Sequence, residues 1–154
     1  MGLFFKKFLL YLAFCAVAIT ITYINYYLRI PVDLTPIFFL SVIISFGYGF
    51  FYSMLFVIIV SLPPKIFSGA DFGIQNIVYV IINIMVNLFL VSVWPSNIIL
   101  FGIIGAVVYC LMSAVISGII KGEIEKELLV SIINIGINLF YFLNFSSFLL
   151  GILV

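Results

Sequence analysis

Long apolar runs alternate with short polar connections along this chain, and the runs have membrane length. Apolar stretches cover about 8–28, 75–94, 97–120 and 128–150. Each can cross a hydrocarbon core of ~30 Å as a helix rising about 1.5 Å per residue. A further run over 36–62, within "TPIFFLSVIISFGYGFFYSMLFVIIVSLPP", carries Gly47 and Gly49 near its centre. It reads as one tilted helix or as two short helices split at Gly47/Gly49. The pattern predicts an all-α polytopic transmembrane helix bundle of five or six spans, forming a single integral membrane domain over 1–154. Tyr23, Tyr26, Tyr27 and Arg29 close the first run and Trp94 precedes Pro95 in another, as expected of interfacial residues.

Basic residues bear on the span count. With five spans and an inside N-terminus, Lys6, Lys7, Lys65, Lys121 and Lys126 lie inside against Arg29 alone outside. With six spans and the same start, Lys6 and Lys7 oppose the other four, and an outside N-terminus reverses those numbers. The positive-inside rule therefore predicts five spans in the cell membrane with a cytoplasmic N-terminus. The basic start and the small residues Ala16 and Ala18 also fit a signal peptide, but the apolar run continues to Leu28 and predicts a retained helix. Phe14 before Cys15 argues against a lipoprotein site, and Gly2 lacks the downstream Ser or Thr that myristoylation requires.

Composition excludes several function classes. With 67% hydrophobic and 7% charged residues, the chain cannot surround a core with a water-facing surface. All eleven charged residues fall in termini or connections, so no ionisable group is expected mid-membrane and an autonomous proton-driven pump is disfavoured. There is no histidine, and Cys15 and Cys110 lie in separate runs. An enzyme is therefore not expected, nor a metal, a cofactor or a disulfide framework. A net charge of +1 gives no reason to expect nucleic acid as a partner. The connection "KIFSGADFGIQ", with Asp71, reads as a solvated turn. "KGEIEKE" reads as a solvated helix cap or as a docking patch for another subunit.

Two patterns carry candidate function. "IINIMVNLF" at 81–89 and "IINIGINLF" at 132–140 match at seven of nine positions. Each sets two asparagines four apart on one helix face, and that face extends to Asn76, Tyr79, Asn83 and Asn87 in one helix and Ser131, Asn134, Asn138 and Tyr141 in the other. The two helices run in the same direction whatever the span count, which puts Asn83 and Asn134 at similar depth and able to face each other. These eight residues are candidates for an interhelical polar layer or for the wall of a cavity for a neutral or zwitterionic solute. The match stops at nine residues, so duplication is the weakest explanation. The second pattern is Gly102, Ala106, Cys110, Ala114 and Gly118, a small residue at every fourth position. It predicts a close helix-packing seam, internal or for a partner.

Residues 28–89 order a proline-led entry at Pro36, an apolar run, Gly47 and Gly49, a second apolar run, "SGADFG" and another helix. This resembles the substrate-binding S-components of energy-coupling-factor transporters and, about equally, the rod-shape-determining membrane protein D family. The first resemblance implies a six-helix transport subunit that binds a small solute and docks on an energising membrane subunit. The second implies a non-enzymatic membrane scaffold. Either way the bilayer is a partner, and a homo-oligomer is the other association considered.

Overall fold

The computed structural model describes residues 2–30, 32–69, 73–93 and 97–153, so the expectations for Asp71, Trp94 and Pro95 lie outside the described residues. Six helices follow in order: α1 (Gly2–Tyr27), α2 (Ile37–Tyr48), α3 (Phe50–Phe67), α4 (Ile74–Val93), α5 (Ile98–Lys121) and α6 (Ile124–Leu153). No strand occurs among the described residues. All but α2 are long and apolar enough to cross a membrane.

The charge count misjudged the run over 36–62. The chain reverses at Gly49, whose φ of 98° and ψ of 159° suit only a residue without a Cβ. At that corner the Tyr48 hydroxyl donates to the Lys7 carbonyl at 2.9 Å, and the Tyr11 hydroxyl donates to the Tyr52 carbonyl at 3.2 Å. The start of α1 therefore lies beside the end of α2. At the far end of α3, the Lys65 ammonium sits 4.9 Å from the centre of the Tyr26 ring, near the end of α1. So α2 runs against α1, and α3 runs with it. The six helices alternate in direction, which puts α4 and α6 parallel as expected. The start of α1 shares a face with the end of α6, where Leu153 packs against Gly47. Lys6 and Lys7 lie on this terminal face, whereas Arg29, Lys65, Lys121 and Lys126 lie on the opposite one. Counting charges could not detect a hinge that is made by backbone conformation.

Twelve residues of α2 span only about 18 Å, short of a ~30 Å hydrocarbon core. The missing depth comes from the α1–α2 connection, which descends into the bundle. Arg29 in the left-handed region (φ 51°) ends α1, and the Ile30 N–H closes back on the Asn25 carbonyl at 3.1 Å. Beyond that point the backbone bonds to side chains. The Leu34 N–H donates to Asn25 Oδ1 at 3.3 Å, the Asp33 N–H donates to Asn134 Oδ1 at 3.0 Å, and the Tyr141 hydroxyl donates to the Leu34 carbonyl at 3.0 Å. Asn134 and Tyr141 stand about 15 and 26 Å along α6 from Ile124. Irregular backbone at such depth is tolerated only where protein or a wet cavity satisfies its polar groups.

Helix α2 is the centre of the bundle. Every residue from Ile37 to Ser45 is buried, and α2 packs against α3, α4, α5 and α6. Phe38 stacks on Tyr109 with ring centres 4.8 Å apart, and Phe39 meets Phe142 edge-on at 5.0 Å. The small-residue stripe of α5 is wholly buried. A Cβ at Gly102 would fall 2.2 Å from the Phe142 ring, and one at Gly118 would fall 2.7 Å from the Ile124 backbone. Its close approach to α6 is thus internal packing, and the alternative of a partner seam finds no exposed stripe. The connection read as a solvated cap contributes to α6 itself, which starts at Ile124 with Glu125 and Glu127 in its first turn, where negative charge complements the helix dipole.

Candidate functional site

A cavity of about 470 Å³ lies between α1, α3, α4, α5 and α6 on the face opposite the termini. Helix α5 contributes Tyr109, Cys110, Ser113 and Ala114. Helix α6 contributes Ser131, Asn134 and Asn138, whose spacings of three and four put them on one face. Asn25 and Tyr26 come from α1, Asn76 and Tyr79 from α4, Lys65 from α3 and Asp33 from the descending connection. Ion pairs from Lys121 to Glu127 at 2.7 Å and from Lys126 to Glu123 at 2.8 Å stand at the mouth. The exposed Glu123 carboxyl is held below the usual carboxylate range by its hydrogen bond to Lys126.

Asp33 corrects the expectation that no ionisable group lies mid-membrane, since its amide bonds to Asn134 about 15 Å along α6, whereas Lys65 lines the cavity from the last turn of α3. Both belong to chain ends or connections by sequence, yet the descent of 32–36 carries Asp33 into the cavity wall. Asp33 Oδ1 accepts from the Thr35 N–H at 3.0 Å and from the Thr35 hydroxyl. Its Oδ2 has no hydrogen-bond partner among the described residues. Burial pushes the carboxyl above its ordinary value, opposed by the Thr35 bonds and by the Lys65 charge. Lys65 donates to Asn76 Oδ1. The two ion pairs among the described residues are those at the mouth, and neither includes Asp33.

Deeper in the wall, Asn138 Nδ2 donates to the Asn134 carbonyl at 3.0 Å. Because that partner only accepts, the amide orientation is settled and Oδ1 is the atom left over. Asn138 Oδ1 and the hydroxyls of Ser113 and Ser131 are buried without a hydrogen-bond partner.

The other asparagine pair does something different. Asn87 Nδ2 donates to Ser41 Oγ at 2.9 Å and to Asn83 Oδ1 at 2.8 Å, and the Ser41 hydroxyl lies 3.1 Å from the same Asn83 oxygen. The Ser53 hydroxyl donates to the Ser41 carbonyl at 2.7 Å. The result is a polar knot joining α2, α3 and α4, with Asn83 and Asn87 each 1% exposed, which excludes solvent. Asn83 borders an annex of only about 40 Å³ beside Asp33, Tyr79 and Tyr109.

Of the eight residues expected to form one layer, Asn76, Tyr79, Ser131, Asn134 and Asn138 line the main cavity. Asn83 and Asn87 belong to the knot, and Tyr141 anchors the descending connection while stacking on Phe39 at 5.7 Å. The expected meeting of Asn83 with Asn134 does not occur. Helix α5 packs against both α4 and α6, and the two amides bond to Ser41 and to Asp33 instead. Sequence reasoning missed Asn25, Tyr26, Asp33, Lys65 and Tyr109. One signal was available: the run from Pro36 to Gly49 is too short to cross a bilayer, so the chain before it must descend.

Fold and cavity together define an all-α multi-pass membrane protein with a polar cavity open on one face. No protein-family model matches the chain, and no curated protein or solved structure matches it.

Proposed function

We propose that this protein is a non-enzymatic solute-binding component of a membrane transport system, as the resemblance to S-components implies. The observation that carries this reading is the one-sided cavity of about 470 Å³. Its size falls in the range of small-molecule sites, ~300–1,000 Å³, and its wall combines aromatic rings with a few convergent polar groups. Balanced charge around it suits a small neutral or zwitterionic solute. The cavity ends at Tyr109, which stacks on Phe38 of the buried helix α2, so movement of a solute through the molecule needs an energising membrane subunit as partner. The scaffold reading has less support, because the small-residue stripe that would receive another protein is used up inside the bundle.

Lys6 and Lys7 precede the first helix, which usually dominates orientation, and we take this to put the termini in the cytoplasm and the mouth outside the cell membrane. Gly122→Cys, in the α5–α6 turn, should then react with an impermeant thiol reagent added from outside. The binding function is tested by extracting small molecules from the purified full chain and from Ser113→Phe, whose ring fills the cavity. A solute enriched in the parent and lost in the variant is expected. Equal extracts from two equally folded proteins would overturn the reading.

A further inference from the structure

We infer that the cavity seats a protonated amine, with the ammonium of the solute against Asp33 Oδ2 and the Asn134–Asn138 face of α6. This rests on the solute-binding reading above and narrows it to a chemical class.

The argument begins with what the wall lacks. Asp33 Oδ2 has no partner among the described residues, and Asn138 Oδ1, fixed by the donation of its own amide to Asn134, has none either. Both atoms can only accept. The Ser113 and Ser131 hydroxyls beside them are also unpaired. Buried polar groups seldom remain so, and an occupant that satisfies this set must bring several donors. An ammonium brings three, together with the charge that Asp33 calls for. A carboxylate or phosphate would instead face Asp33 with like charge.

Asp33 is positioned by its neighbours independently of any solute. Its backbone N–H is tied to Asn134 Oδ1, and its Oδ1 is occupied by Thr35, which leaves Oδ2 as the free acceptor. Tyr26, Tyr79 and Tyr109 share the cavity and lie within the electrostatic reach of the Asp33 charge. Their ring faces attract cations and pack against the apolar part of an amine. Lys65 is engaged with Asn76 and the Tyr26 ring on another part of the wall, so it does not neutralise Asp33 through a direct ion pair.

The test uses the full chain in lipid nanodiscs and four probes of similar size: phenethylamine, phenylalanine, 2-phenylethanol and 3-phenylpropionate. Binding is measured by equilibrium dialysis. The two amine-bearing probes should bind about tenfold or more tightly than the two without an amine, the weight of one charge-assisted hydrogen bond. Asp33→Asn keeps the oxygen that accepts from Thr35. It should remove that preference. If Asp33→Asn fails to fold, Asn138→Leu, away from the connection, should reduce the preference in the same direction. Equal binding of phenethylamine and 2-phenylethanol, or a preference that survives both substitutions, overturns the amine assignment and leaves the solute-binding reading standing. No binding of any probe, together with equal extracts from parent and Ser113→Phe, overturns both.

Discussion

The two matching stretches "IINIMVNLF" and "IINIGINLF" place identical amides in opposite circumstances. Asn83 and Asn87 bond to each other and to Ser41, on the helix that forms the centre of the bundle. Asn134 and Asn138 hold the descending connection and leave a carbonyl oxygen unpaired at a cavity wall. The difference lies in the neighbour each helix meets. Helix α4 faces α2, whose Ser41 bonds to both amides and, although Asn87 Oδ1 stays unpaired, leaves no room for a solute, whereas α6 faces the irregular chain of 32–36 beside an open cavity. An amide in a membrane helix is therefore a fastener where a regular helix lies opposite, and a candidate recognition group where one does not.

The contrast can be broken most forcefully at the knot. Asn83→Leu with Asn87→Leu removes the paired amides, leaves the Ser41 hydroxyl with only the Phe38 carbonyl as partner and crowds a fully buried site. It should cost about 2–3 kcal/mol, combining lost interhelical bonds with overpacking. Thermal melting of the detergent-solubilised protein reads this directly, and the surviving folded fraction should bind solute normally. The corresponding change in the second copy, Asn134→Leu with Asn138→Leu, should do the reverse. Melting falls by only about 1 kcal/mol, since fewer bonds are lost and the cavity accommodates the new side chains. Solute binding disappears. If both pairs affect melting and binding alike, the two copies do the same work and the contrast collapses.

Much of the architecture was legible in the chain before any coordinates. Membrane-length apolar runs identified four of the helices and left the run over 36–62 open as one helix or two, and the four-residue spacing of Gly102, Ala106, Cys110, Ala114 and Gly118 identified a close contact. What lay beyond pattern was the identity of the partner across each contact. The spacing of Asn83 and Asn87 puts both on one face, but only the hinge at Gly49 brings Ser41 to that face. Asp33 was placed in a connection because linear position carries no depth. Its placement follows from a three-dimensional shortfall, a 12-residue α2 that must be reached by chain descending from the surface.

Asp33 sharpens the comparison further, because the knot contains no ionisable group. Its carboxyl is raised above the ordinary value of about 4 by burial, so over the window between those two values the folded protein binds more protons than the unfolded one. Stability from this group is therefore fully present below the unfolded value and is lost as pH rises through the folded value. Asp33→Asn removes the penalty of holding the charge. The variant should melt slightly higher than the parent at neutral pH, by less than either asparagine pair changes melting, and the gap should close as pH falls toward 4. A gap that widens on acidification would mean that a partner, rather than burial, governs the carboxylate.

The smallest expected effect concerns Tyr141, which the sequence places on the same helix face as Asn134 and Asn138 but which stands outside the cavity. Its hydroxyl donates to the Leu34 carbonyl, so Tyr141→Phe deletes one hydrogen bond between α6 and the connection while keeping the ring stacked on Phe39. A loss of about 0.6 kcal/mol is expected, the average for such bonds in membranes. The amide of Leu34 remains tied to Asn25, and that of Asp33 to Asn134, so the connection should stay in place and solute affinity should be unchanged. Hydrogen exchange of the Asp33 and Leu34 amides checks the local effect. Slightly faster exchange with intact binding places Tyr141 with the fasteners of the fold. A large fall in affinity would instead mean that the position of the connection, more than the wall of α6, sets the shape of the site.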